Sequence, residues 1–206
     1  MNVALFLKAA LIGLSIAAPV GPVGLLCIQR TIAYGPRIGF ASGLGAALAD
    51  ATYGAVGAFG LAAVTQYFVT LATPLAILGA VFLGWMGSTL LLAKPVADTG
   101  SATGSVMAGK AFISVFVLTL TNPMTILSFI AVFAAISGSA ATAPSAAGIM
   151  VLGVFTGSAC WWLLLACGVA VIRNRIGPRL MSAVNRIGGC ILLLFAGWQL
   201  VRVIGG

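Results

Sequence analysis

The sequence predicts an all-α membrane protein of six transmembrane helices arranged as an inverted three-plus-three repeat. Three observations lead there. Hydrophobic residues make up 62% of the chain against 6% charged, with a mean hydropathy of +1.22, where a soluble domain carries about a quarter charged residues. The basic residues gather in alternate turns between apolar segments. Proline interrupts the opening apolar segment of each half, at Pro19 and Pro22 and again at Asn122-Pro123.

The first span is expected over about Val3–Gln29. Its apolar run continues well past the length of a secretory signal core, so it reads as a retained helix. Gly35 and Pro36 end one helix and start the next. The second span, about Ile38–Val64, carries Gly39-x3-Gly43, which permits close backbone approach. A charge-free turn leads to the third span, about Leu75–Ala93. The polar segment 94–109, rich in Gly, Ser and Thr, reads as a flexible linker between halves 1–93 and 110–206 of a single transmembrane domain, 1–206. The fourth span is expected over about Ala111–Ile136, broken at Asn122-Pro123. After a second charge-free turn comes the fifth, about Ala146–Ile172, with Gly153-x3-Gly157. The Arg-rich segment 173–186 is read as a loop before the sixth, about Ile187–Val203.

Charge fixes an orientation. Arg30, Arg37, Lys94, Lys110, Arg173, Arg175, Arg179 and Arg186 fall in the first, third and fifth loops, and the other loops carry no basic residue. The positive-inside rule places those loops in the cytoplasm and both termini outside. A net charge of +8 is explained by this bias rather than by nucleic acid, since no continuous basic stripe with interleaved aromatics is present. Three spans per half then insert the second half upside down. Gly79-x7-Gly87 and Gly189-x7-Gly197 share a spacing in the closing helices, and paired interruptions point to a site at a repeat interface.

Several chemistries are disfavoured. The chain has no histidine, which removes Ser–His and Cys–His nucleophile pairs and imidazole metal sites. Cys27, Cys160, Cys167 and Cys190 form no CxxC pair and read as small packing residues. No cofactor or metal site is expected, and no enzyme. Asp50 has no second acid within any span, so an aspartyl dyad cannot form in one chain.

What remains is Asp50 and the breaks. At about 1.5 Å per helical residue, Pro22 and Pro19 lie roughly 12 and 16 Å above the first turn. Asp50 lies about 16 Å above it on the next helix, near the midplane of a hydrocarbon layer about 30 Å thick. A mid-helix proline frees backbone groups that protein, water or ligand must satisfy. Gly21, between the prolines, permits departures from helical geometry, and restarted N–H groups suit a carboxylate. Asn122 adds an amide with donors and acceptors. A carboxylate at mid-depth costs at least about 2.5 kcal/mol and normally faces a cavity, so Asp50 is expected to bind a substrate ammonium or a proton. A structural hydrogen bond or an ion pair, for instance with Arg30 or Arg37, is the alternative. Tyr53, three residues on, shares its helical face and joins the candidates. The tryptophans read as interface anchors or packing groups, and Gln66 and Gln199 as interfacial.

Residues 21–61, GPVGLLCIQRTIAYGPRIGFASGLGAALADATYGAVGAFGL, together with LTLTNPMTILSF at 118–129 and the closing RIGGCILLLFAGWQL, resemble the LysE/RhtB family of amino-acid exporters. The resemblance spans essentially the whole chain. It implies a six-helix protein of the bacterial inner membrane that exports amino acids or close derivatives, with protons as the coupling partner. It also implies functional positions at Pro19, Gly21, Pro22, Asp50, Asn122 and Pro123. Alternatives are efflux of another small solute or a metal cation, or a membrane assembly protein whose glycine-rich faces bind other helices, including a homodimer partner. The related thiol–disulfide carriers need a cysteine in the first and fourth helices, and the fourth span here has none.

Overall fold

The computed structural model describes residues 3–19, 21–59, 70–92, 104–122, 125–126, 128–129, 144–173, 175 and 178–205. Seven helices run through them: α1 Val3–Ala17, α2 Pro22–Tyr34, α3 Pro36–Ala58, α4 Ala72–Leu92, α5 Gly104–Leu120, α6 Pro144–Arg173 and α7 Pro178–Gly205. Pro123, the charge-free turns at 60–69 and 130–143, Gln66 and most of the expected linker lie outside the described residues.

Helix boundaries follow the punctuation of the sequence, with three differences. The expected first span is two helices, α1 and α2, bent by 82° at the break, because two prolines three residues apart each remove one hydrogen bond and crowd the preceding turn. Helix α5 starts at Gly104, inside the segment read as linker; Val106, Met107 and Ala108 there continue the apolar run. Helix α7 starts at Pro178 rather than near Ile187. Proline is pre-organised for a first helical position, and the helix therefore takes in Arg179 and Arg186.

Gly35 makes the α2–α3 turn possible. Its φ of +95° is one that side-chain-bearing residues avoid. Its N–H donates to Thr31 O at 3.0 Å and closes α2, and Pro36 then opens α3. Nearby, Arg173 Nε at the end of α6 donates to Ile32 O at 2.9 Å, and Arg30 donates to Ala111 O, one residue after Lys110 on α5, at 3.0 Å. Arg30, Lys110 and Arg173 thus gather at one end of the bundle.

Among the described residues, Thr73–Leu92, Pro144–Arg173 and Ser182–Val203 are long and apolar enough to cross a membrane, and the bent α1–α2 pair taken together makes a fourth. Their outer faces are greasy: Leu78, Val81, Leu164, Leu194 and Val201 are all more than half exposed. Such a surface belongs against lipid. Helix α3 is the opposite case. It packs against α2, α5 and α6, and buried residues occur in the consecutive sets Gly45, Ala46, Ala47 and Ala49, Asp50, Ala51. Successive residues point 100° apart on a helix, so most of this stretch is covered by protein, with Leu48 left exposed on the remaining side. A helix largely screened in this way can carry glycine, alanine and an acid without being strongly apolar itself.

Close packing depends on small residues at matched places. A Cβ at Gly45 would run into Phe112 O of α5, and one at Gly157 would run into Ala10 O of α1. Beyond these contacts the core fills with Leu26, Val115, Leu192, Leu83 and Leu118.

Candidate functional site

Pro19 has no N–H, so Ser15 O loses its helical donor, and Pro22 removes the donor for Ala18 O in the same way. Helix α1 therefore stops at Ala17, with Ala18 N making the last bond to Leu14 O at 2.9 Å. Helix α2 restarts at Pro22 with Gly21 as its N-cap, and no side chain caps it. Leu25 N reaches Gly21 O at 3.0 Å. The N–H groups of Val23 and Gly24, just before it in the first turn, have no acceptor within the helix. Gly21 itself sits at φ −103°, ψ −161°, extended backbone open to any residue, and nothing lies within 4 Å of where its Cβ would be. The expected release from helical geometry is thus not what requires glycine. Its lack of a side chain leaves the restarting backbone bare.

The second break is handled differently. Past Leu120, Thr121 N donates to Val117 O at 3.0 Å and Thr121 Oγ1 to Leu118 O at 3.1 Å. Asn122 N donates to Thr119 O at 3.2 Å, and the Tyr53 hydroxyl donates to Leu120 O. Asn122 O then accepts from Thr125 N at 3.1 Å and Ile126 N at 3.2 Å as helical turns resume. Each carbonyl left over at the end of α5 finds a donor.

Asp50 lies on α3 between these breaks, 3% exposed. Ser158 Oγ on α6 donates to its Oδ2 at 2.7 Å, and Trp162 Nε1 donates to Ser158 Oγ at 3.2 Å. The two helices run antiparallel here, with Trp162 over Gly43 and Val154 against Gly54. Of the structural alternatives expected for Asp50, the hydrogen bond is found, to Ser158, and the ion pair with Arg30 is not. Arg30 is occupied by Ser42 Oγ at 2.9 Å, Ala111 O at 3.0 Å and Ser114 Oγ at 2.8 Å. The buried carboxylate accepts this hydroxyl, with no cation against it among the described residues.

A cavity of about 360 Å³ joins these parts. Pro19, Gly21 and Pro22 from the first break, Asn122 from the second and Asp50 from α3 all line it, and so do Val23 and Gly24. Thr119, Thr125, Ser128 and Gln199 add polar groups, and Leu83, Leu118, Trp162, Phe195 and Trp198 supply apolar wall. Among the described residues, the buried hydroxyl of Thr119 has no hydrogen-bond partner. An orphaned buried hydroxyl is costly, and this one borders the space a ligand would fill.

Five of the seven sequence-predicted site residues therefore meet at one cavity: Pro19, Gly21, Pro22, Asp50 and Asn122. Tyr53 does not line it. Tyr53 is buried behind it, its ring centroid 5.6 Å from that of Phe129 and its hydroxyl on the end of α5. Pro123 lies outside the described residues. The part that three lining or supporting groups play was not read from sequence. Gln199, expected at the interface, is buried and donates to Ala76 O at 2.6 Å. Trp162, read as an anchor or packing group, is 4% exposed and backs the Asp50 hydroxyl partner. Ser158 went unremarked, although it stands five residues after Gly153 as Asp50 stands five after Gly45.

Comparison with known proteins gives a concordant result. The family model for the LysE type translocator matches residues 14–202. A protein of Bacillus subtilis (strain 168) named "Putative amino acid efflux protein YcgF" is 31% identical over 213 residues, covering all of both chains. The "Uncharacterized membrane protein YahN" of Escherichia coli (strain K12) is 30% identical over 174 residues, 82% of this chain and 77% of that one. No solved structure matches significantly. By these matches and by its apolar, multi-helical build, the chain belongs to the LysE type translocator family of membrane transporters.

Proposed function

We propose that this protein exports amino acids, or close derivatives, across the bacterial inner membrane in exchange for protons, through the cavity between the two helix breaks. The observation that carries the reading is that Asp50 and both breaks border the same space. A cavity near the lower end of the roughly 300–1,000 Å³ range of small-molecule sites suits a small solute. Its polar groups are of two kinds. Val23 and Gly24 offer helix N-terminal N–H groups to a carboxylate, and ionised Asp50 offers a counter-charge to an ammonium group. Protonating Asp50 removes that counter-charge and releases the substrate, so one acid couples the two fluxes. Pro19 and Pro22 create the donors, and Asn122 shapes the facing wall. The efflux named for the Bacillus relative supports this substrate class.

The same reading takes the chain as one transmembrane domain, 1–206, of six spans in two inverted halves, 1–93 and 110–206. Support comes from the packing. Under that exchange, α1–α2 corresponds to α5 with the residues after its break, α3 to α6, and α4 to α7. The contact of α1 with α6 then maps onto the contact of α5 with α3, while α3–α6 and α4–α7 map onto themselves; all four are the major contacts of the bundle. The Gly45–Phe112 and Gly157–Ala10 approaches exchange in the same way, and Asp50–Ser158 falls where the two halves meet. The end bearing Arg30, Lys110 and Arg173 faces the cytoplasm by the positive-inside rule, with both termini outside.

Counterflow in proteoliposomes across a panel of the common amino acids, with and without an imposed pH gradient, tests the proposal. Accelerated exchange of at least one amino acid, increased by the gradient, is expected. Exchange of none, alongside unchanged growth of an overproducing strain on toxic amino-acid analogues, would sink it.

A further inference from the structure

A second cavity, of about 680 Å³, lies between α2, α4 and α5 at the basic end of the bundle and is lined by Arg30, Lys110, Trp85, Ile113 and Val117 among others. Its two ends differ in chemistry. At one end sit two cations. Arg30 is part-buried, and its three bonds go to uncharged acceptors: Ser42 Oγ, Ala111 O and Ser114 Oγ. A guanidinium has five donors, so capacity remains for an anion. Lys110 is exposed beside it. The whole chain holds two acidic residues. Asp50 belongs to the other cavity, and Asp98 lies outside the described residues.

At the other end the walls are apolar and open outward. Trp85, Ile113 and Val117 are 61%, 60% and 45% exposed on the outer surface of the bundle. From Lys110 to Val117 the groove runs seven residues along α5, about 10 Å. A water-borne solute has no use for that length of exposed hydrocarbon wall. A molecule with an anionic head and an apolar tail fits both ends at once, and the bilayer supplies it.

We propose that this groove binds an anionic phospholipid, its phosphate between Arg30 and Lys110 and an acyl chain along Trp85, Ile113 and Val117. Basic pockets between transmembrane helices are suited to such headgroups, and cytoplasmic leaflets are rich in them. The bound lipid would supply the counter-charge that Arg30 lacks among the described residues and would bridge α2, α4 and α5.

Thermal unfolding of the full chain in neutral detergent, titrated with dioctanoyl phosphatidylglycerol, tests this. The anionic lipid is expected to raise the melting temperature saturably, while dioctanoyl phosphatidylcholine and inorganic phosphate leave it in place. Lys110→Gln is expected to weaken the apparent affinity about fivefold, the contribution of one basic group near a membrane surface. Ile113→Trp, a change at an exposed position that narrows the slot, is expected to weaken it as well with the starting melting temperature retained. Equal stabilisation by phosphatidylcholine would reduce the groove to an unspecific apolar surface, and a shift with phosphate alone would make it a free-anion site; either overturns the proposal. So does a lipid response that appears only in Asp98→Asn, which would make Asp98 the occupant of the basic end.

Discussion

Among the described residues, Asp50 is held by one side-chain hydroxyl and faces no cation, and the proposed chemistry of the cavity follows from that. Ser158 Oγ takes one carboxylate oxygen at 2.7 Å, and Trp162 fixes that hydroxyl from behind. Asp50→Asn is expected to insert and fold but to lose net export, measured as efflux from preloaded cells alongside protein level in the membrane. Ser158→Ala removes a hydrogen bond to a charged group, worth about 1.5–3 kcal/mol. It is expected to lower transport roughly tenfold or more, while Ser158→Thr, which keeps the hydroxyl, restores much of it. Thr119→Val makes a sharper distinction. Replacing an unpartnered buried hydroxyl by a methyl group costs the empty protein nothing and can raise its melting temperature. If the substrate satisfies that hydroxyl, its affinity in proteoliposome counterflow falls several-fold in the same variant. A variant unchanged in both readouts would remove Thr119 from the site.

The helices show which glycines matter, and the answer separates two that look alike in sequence. Gly157 has Ala10 backbone where a Cβ would go, and Gly45 has Phe112 backbone. Backbone cannot step aside as a side chain can, so Gly157→Val is expected to cost about 3 kcal/mol or more by overpacking, seen as a large drop in melting temperature. Gly21 has open space around it and an extended backbone. Gly21→Ala is expected to fold with near-normal stability and to impair transport, because its methyl group enters the cavity beside the first turn of α2. The boundaries of these elements were legible wherever proline and glycine punctuate the chain, as at Gly35-Pro36. They were less so at Gly104 and Pro178, where apolar or helix-starting residues extend a helix into a stretch whose charges and small polar residues read as loop.

At the scale of the molecule, the arrangement places a buried acid and bare helix ends inside a bundle whose outer faces suit lipid. Cysteine-accessibility mapping is expected to find positions near Arg175 labelled from the cytoplasm and position 3 from outside; the reverse pattern would invert the orientation. The sequence by itself determined the class of the protein, the break at Pro19 and Pro22, and the lone acid around which the proposed site is drawn. These rest on local facts: proline has no N–H, lipid tolerates few charges, and a lone carboxylate among apolar residues stands out without any knowledge of its neighbours. Tertiary structure alone decided that Ser158, Trp162 and Gln199 serve the same cavity and that Tyr53 stands behind it. A serine 108 positions from its partner in a chain full of small residues carries no local signature. Its role comes from two helices crossing closely enough, over glycine, to bring hydroxyl and carboxylate within 2.7 Å.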